Sequence, residues 1–232
     1  MFSILKPARI LAAACAAAFA VTTDAGAVVV TPGSVVALSG TTSALNPALA
    51  GVVQNDNLIP FSIQNGSGTT IVSGDVQNRV VVSGTLGTLI FAPTIRNLVF
   101  PVGSTGTAIT GLRVSPYGGG SLDIDFRTDG LGSVGPANVS RGASGDQLTF
   151  RYDPAITATA GSLFVSILSA ATNYSLNGVA QIFARDGQGN TFSTTIEGLA
   201  VPAEVPLPAA APLFLGALGA AAFFRKRRKA QA

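Results

Sequence analysis

Between Val28 and Glu204 the chain has no histidine, cysteine, lysine or tryptophan, so its chemistry is limited to carboxylates, arginines and hydroxyls. That inventory removes several mechanisms at once. Ser-His-Asp and Cys-His nucleophile systems need an imidazole base, zinc sites draw on His or Cys, and Schiff-base chemistry needs an amine. What remains is acid and base work by two carboxylates, as in glycoside hydrolysis, or binding of a hard cation through oxygen ligands. The densest acidic group is Asp123, Asp125 and Asp129, with Gly130 after it. Two residues apart on a strand, Asp123 and Asp125 share one face at about 7 Å, a spacing that a glycosidase pair allows. With no tryptophan and only Tyr117, Tyr152 and Tyr174, little is offered for stacking on sugar rings. As a calcium loop the DxD opening and Asp-Gly fit, yet Arg127 stands where an EF-type loop supplies its next ligand. A weak calcium site could use Asp123, Asp125 and Asp129, or Asp186 with Asn190. A solvated strand face and ordinary Asx turns compete with these readings. No residue is assigned a catalytic role, no cofactor is expected, and the chain is not read as an enzyme.

The elements that must position these groups read as strands. Residues 28 to 200 are rich in Val, Ile, Thr, Ser and Gly and are broken every 8 to 12 residues by turn signals, the spacing of an all-β sandwich or barrel. The turn candidates are residues 65–68, Ser73-Gly74-Asp75, Ser83-Gly84, residues 116–120, Asp129-Gly130, Ser144-Gly145-Asp146 and residues 186–190. Leu122, Ile124 and Phe126 alternate with Ser121, Asp123, Asp125 and Arg127, and Leu148, Phe150 and Tyr152 alternate with polar neighbours. Such strands have one wet face. Residues 161–168 and Val80 to Val82 are apolar on both sides and belong centrally. The expected fold is therefore two stacked sheets, with residues 186–190 as the tip of a hairpin. Residues 43–50 suit a short helix with Asn46 as N-cap and Pro47 in its first turn.

Charge and cysteine usage narrow the partners. Seven arginines face ten carboxylates between Val28 and Glu204, a net charge of −3. The basic excess of the whole chain thus belongs to its ends, and nucleic acid is not an expected partner. Cys15, the single cysteine, lies near the N-terminus; residues 28–204 can form no disulfide and are held by their core alone. A lipoprotein reading of Cys15 is weakened because Leu11 sits one residue off the usual spacing. Asn138-Val-Ser140 and Asn173-Tyr-Ser175 match glycosylation sequons, which are read as coincidental.

Both ends carry addresses. Lys6 and Arg9 precede an apolar stretch from Ile10 to Val21, and Ala25-Gly26-Ala27 offers small residues to a signal peptidase, the pattern of a Sec-type signal peptide over residues 1–27. Its apolar core is too short for the roughly 20 residues of a spanning helix. At the other end, residues 201–208 contain three prolines and form an extended linker. Residues 209–224 follow as an apolar run, about 24 Å long as a helix at about 1.5 Å per residue, and are read as a transmembrane helix. Arg225, Lys226, Arg227, Arg228 and Lys229 then form a basic stop, which stays cytoplasmic with residues 225–232 and leaves the domain outside.

Val205, Pro206, Leu207, Pro208 and Ala209, followed by the apolar run and the basic cluster at the chain end, resemble the VPLPA variant of the PEP-CTERM sorting signal. The resemblance covers about the last 25 residues. It implies an exosortase-type processing enzyme of Gram-negative bacteria as a partner, beside the Sec translocon, signal peptidase and the inner membrane. It further implies removal of the tail, release or transfer of the domain to the cell surface, and an association with exopolysaccharide or biofilm. Val-Pro-Leu-Pro replaces Pro-Glu-Pro, although Glu204 stands just upstream. The domain itself reads as a structural or interaction component, with a polysaccharide- or calcium-binding module as the alternative and a carboxylate glycosidase third.

Overall fold

A computed structural model describes residues 26–157 and 161–203; the apolar stretch near the N-terminus, the 205–209 motif, segment 209–224 and the basic cluster lie outside them. Twelve strands follow in order: β1 Val28–Val29, β2 Val35–Ala37, β3 Gly51–Gln64, β4 Thr70–Ser83, β5 Leu89–Val99 and β6 Ala108–Ser115. Then come β7 Asp123–Arg127, β8 Asn138–Arg141, β9 Leu148–Ile156, β10 Phe164–Leu168, β11 Tyr174–Arg185 and β12 Thr191–Pro202. They form two six-stranded sheets, β1-β7-β10-β5-β4-β3 and β12-β11-β6-β9-β8-β2. Every pairing between these strands is antiparallel. No helix among the described residues is long and apolar enough to cross a membrane.

Burial follows the period of two where one face meets the core. Leu148, Phe150 and Tyr152 are buried, whereas Arg151 and Asp153 are exposed. All five residues of β10 are buried, the polar Ser166 included, and the strand lies between β7 and β5. One cluster joins the inner faces of both sheets, including Val76, Val80, Phe91 and Ile167 from the first and Leu112, Phe150 and Ile182 from the second. Asn78, also facing inward, ties β4 to β12: its amide donates to the Gly198 carbonyl (3.1 Å) and its oxygen accepts the Ala200 N–H (2.9 Å). Both polar ends of a buried amide are thus used.

Several local expectations are corrected. Ser73-Gly74-Asp75 is no turn but the interior of β4. Gly74 lies opposite a register shift in β5, where Asn97 takes φ 51°. A Cβ at Gly74 would stand 2.8 Å from the Arg96 carbonyl oxygen, so the glycine admits a close backbone approach rather than a reversal. Residues 43–50 yield only a 3-10 turn, Pro47–Leu49, and Asn46 makes no side-chain capping bond. β7 has no wet face: Asp125 is 2 % exposed, because residues 38–43 run alongside the strand and the Thr41 N–H bonds to the Phe126 carbonyl (2.9 Å). β12 continues to Pro202, and Val201 is fully buried, so the first two residues of the expected linker are strand.

The exposed edge of the first sheet is β3, fourteen residues long. A register shift between Val53 and Asn55 and the presence of Pro60 interrupt it, which blunts its capacity to pair with other chains. The two ends of the described residues lie at one pole. The Val30 N–H bonds to the Leu122 carbonyl (2.9 Å), and Pro202 and Ala203 share a cleft with residues 116–122. At the opposite pole the 65–68, 101–107 and 186–190 turns meet around a second cleft.

Arg141 fastens the exit pole. Only 3 % exposed, it donates to four carbonyls: Nε to Gly145 (2.9 Å), Nη1 to Val30 (2.6 Å), and Nη2 to Gly118 (2.7 Å) and Gly120 (2.6 Å). A lysine has three donors and no planar fork. Arg141→Lys is therefore expected to lower the unfolding free energy by about 2 kcal/mol, and Arg141→Met by about 4 kcal/mol. Urea unfolding of both variants checks this, and losses below about 0.5 kcal/mol would contradict the role.

Candidate functional site

The outward face of the first sheet carries a cleft, and strand register explains its composition. In one row Asp56 pairs with Arg79 and Arg79 with Ala92; on the next strand, Ser166 pairs with Asp125. A parallel row runs Val53, Val81, Ile90, Leu168 and Asp123. The register shift at Gln54 lets both Val53 and Asp56 reach this face. Between the rows and the 129–131 turn lies a cleft of about 390 Å3, floored by Val81, Ile90 and Ala92 and rimmed by Arg79, Arg127 and Asp129.

The arginines on this face are already engaged. The Arg79 Nη2 donates to Asp56 Oδ2 (2.6 Å), and its guanidinium carbon lies 4.5 Å from the centre of the Phe164 ring. Arg96 stacks on the same ring at 4.5 Å and donates to Gln77 Oε1 (3.1 Å), the Ser162 carbonyl (3.1 Å) and the Leu131 carbonyl (2.9 Å). Gln77 in turn donates to Asp56 Oδ1 (2.7 Å). Burial pushes the Asp56 carboxyl upward, but bonds from Arg79 and Gln77 outweigh it and hold the group below its ordinary value. Burial likewise draws the Arg96 guanidinium down. Phe164 therefore stacks on cations and offers no open face to a sugar ring.

The three acidic residues singled out in the sequence do not converge, and among the described residues no group of three His, Cys, Asp or Glu could hold a metal ion. Asp125 Oδ1 accepts the backbone N–H of Gly40 (2.9 Å) and of Phe126 (2.8 Å). Asp129 accepts Arg127 Nε (2.8 Å) through one oxygen and the Ser43 N–H and hydroxyl (2.9 and 2.7 Å) through the other. Asp186 is spent on its own turn, bonding the Gln188 and Asn190 amides (2.9 and 2.8 Å) and the Asn190 side chain (2.9 Å). An Asx turn describes Asp186, whereas Asp125 and Asp129 reach across to residues 40 and 43. Burial raises the Asp125 carboxyl despite its two amide bonds. The Arg127 bond, with smaller help from Ser43, overrides burial and holds Asp129 far below the carboxylate range. Asp123 and Asp125 line none of the three clefts, and Asp125 faces the backbone amides of Gly40 and Phe126.

Tyr117 and Tyr152 are buried, and neither hydroxyl has a hydrogen-bond partner among the described residues. Tyr117 is buried edge-on against Phe91, ring centres 5.7 Å apart, and burial pushes its hydroxyl far up. It forms one wall of a cleft of about 450 Å3 that contains no second aromatic. Tyr174 is half-buried in β11. The Arg79–Phe164–Arg96 stack and the Arg141 clamp were not singled out in the sequence, because each depends on residues brought together from distant strands. The one local hint is an arginine directly before the apolar run Val80 to Val82.

Compared with protein-family models, with curated proteins and with solved structures, the chain matches none.

Two measurements follow from the site. Because the folded carboxyl of Asp125 is raised, its protonated form contributes stability fully below the unfolded value near pH 4, and this is lost as pH rises through the folded value. Asp129 has the opposite sign: its stability is present above about pH 4 and lost as pH falls. Relative to wild type, Asp125→Asn is therefore expected to gain stability with rising pH. Asp129→Asn loses about 1 kcal/mol near neutrality and recovers toward wild type in acid. Parallel pH profiles for the two variants would contradict the assignment. A calorimetric titration of the protein with calcium is expected to give no binding heat and no shift in Tm.

Proposed function

We propose that the chain is an exported protein of the cell surface or extracellular matrix whose C-terminal signal directs membrane retention and processing, and whose β-domain serves as a structural or interaction component. The observation that carries this reading is the ordered tail: Val205 to Ala209, the apolar 209–224 segment, then Arg225 to Lys229. On this reading the Sec translocon and signal peptidase act on residues 1–27, the inner membrane holds 209–224 as a spanning helix, and an exosortase-type enzyme removes the tail. Exopolysaccharide is the expected surrounding. Two features of the domain suit such handling. β1 begins at Val28, so cleavage after Ala27 spares every strand. β12 ends at Pro202, so tail removal near residue 205 leaves the core whole. The alternative, a polysaccharide-binding module, has the 390 Å3 cleft in its favour but no exposed aromatic platform within it.

Replacing Pro206 and Pro208 by alanine is expected to block tail removal while signal-peptide cleavage proceeds, read as a mature-length shift on immunoblots of fractionated cells. Deleting Arg225 to Lys229 should leave the precursor misoriented or secreted uncut, since the cations set the orientation of the span. Normal tail removal in both variants would refute the sorting reading.

A further inference from the structure

Two segments share the edge of β7 that faces away from β10. Val28 and Val29 of β1 pair with Ile124 and Asp123, and the Val30 N–H bonds to the Leu122 carbonyl (2.9 Å). Hydrogen-bonding pairs alternate along an antiparallel ladder, so the Val28 nitrogen, two residues before Val30, also points at this edge, toward the Ile124 carbonyl. Farther along, Thr41 bridges to Arg127: its N–H bonds to the Phe126 carbonyl (2.9 Å), and its carbonyl accepts the Thr128 N–H (2.8 Å). Residues 40 and 41 thus hold the edge along which β1, extended backward, would have to run, and Gly26 and Ala27 lie outside the strand. The notch between the two segments falls at Asp125. That residue is buried, and one of its carboxylate oxygens accepts the Gly40 and Phe126 amides (2.9 and 2.8 Å), which draws the group toward this edge. Among the described residues its other oxygen has no hydrogen bond and no cation contacts it. Asp123 and Arg127 flank it on β7, Arg127 being bonded to Asp129; Ser166 stands opposite on β10, and residues 38–41 bring no charge.

We propose that removal of residues 1–27 creates at Val28 an α-ammonium that pairs with the Asp125 carboxylate, so that leader cleavage itself fastens β1 into its sheet. This pairing rests on the export reading given above, with cleavage after Ala27. Hydrolysis consumes one water, breaks the Ala27–Val28 amide and leaves the new carboxylate on Ala27. The Val28 amine then takes up a proton at neutral pH, since such amines titrate near about 8. As an amide the Val28 nitrogen has one hydrogen, directed at Ile124; as an ammonium it has three, and two are left for the carboxylate. Opposed residues of a hydrogen-bonding pair stand about 5.5 Å apart between Cα atoms, and the nitrogen lies on the Asp125 side of Val28, within reach of an aspartate side chain. A buried carboxylate without a cation is costly, and a partner that also hydrogen-bonds the backbone offsets that cost. While the Val28 nitrogen is an amide, burial raises the Asp125 carboxyl, and the pH profile stated above for Asp125→Asn belongs to that chain. With the ammonium in place the sign inverts. The pair's stability is present above about pH 4 and lost as pH falls, and it is lost again as pH rises through the amine's own value.

The absence of lysine from residues 28–204 makes the test direct, because the α-amine is then the only amine of the domain. Reductive methylation of the exported protein with isotopically labelled formaldehyde marks that amine for NMR, and Lys226 and Lys229, where the tail is retained, titrate apart from it near about 10.4. The Val28 amine is expected to titrate at or above about 9, and Asp125→Asn should return it to about 8. A second chain carries one alanine inserted between Ala27 and Val28 and is cleaved after Ala27, so its amine stands one residue, at most about 3.6 Å, farther along the chain. It keeps Asp125, needs no change in the core, and should also titrate near about 8. Amines that titrate alike in the native and inserted chains would overturn the pairing, whether or not Asp125→Asn folds. Intact mass identifies the first residue of each protein. A chain that begins elsewhere than Val28 overturns the cleavage reading and the pairing with it, whereas a chain that begins at Val28 with an unshifted amine overturns the pairing alone.

Discussion

One buried guanidinium holds together the end of the molecule from which both termini depart. Desolvating a cation without a carboxylate partner is costly, and Arg141 survives it because four carbonyls, from Val30, Gly118, Gly120 and Gly145, take four of its five donors. These carbonyls come from the residue after β1, the β6–β7 connection and the β8–β9 turn. The β6–β7 connection is seven residues long with three consecutive glycines, and the backbone oxygens of two of those glycines are held by the guanidinium. In a domain with neither lysine nor disulfide, arginine is the only side chain able to do this. The cleft beside Tyr117, the entry of the chain at Val30 and its exit at Ala203 all inherit their positions from that one contact set.

The same economy governs the outer face of the first sheet. Arg79, Arg96 and Arg127 could have formed an anion site, yet each is engaged within the molecule, by Asp56, by Gln77 and two backbone carbonyls, and by Asp129, although the buried Arg79 Nε has no partner among the described residues. Phe164 is the shared platform on which two of them rest. The result is a self-neutralised surface whose polar groups are used to fasten the 129–131 and 161–163 connections onto the sheet.

Much of the architecture was legible because strands broadcast their faces locally. The alternation in Leu148 to Tyr152, the largely apolar sequence of β10 and the Asp186 to Asn190 turn each state their structure within a few residues. What failed did so for nonlocal reasons. Asp125 read as a wet residue because alternation cannot reveal that residues 38–43 lie alongside β7. Gly74 read as a turn because a glycine opposite a bulge in another strand looks the same as a glycine in a reversal. The carboxylate triad dissolved because backbone amides from Gly40 and Phe126 and the side chains of Ser43 and Arg127 reached its members first. The Arg79 row across the sheet was invisible, since it exists only once four strands have found their register. The two ends stand differently: their meaning is carried by order and composition, and residues 204–232 lie outside the described structure.

The account centres on a domain that is complete between Val28 and Ala203 and is handed over by an expendable tail. Intact-mass measurement of the protein recovered from the surface or medium of the cells that produce it tests this most directly. The account predicts a single species beginning at Val28 and ending within or close to residues 205–209. A recovered chain that still carries the 210–232 segment, dissolved and free of membrane, would contradict it.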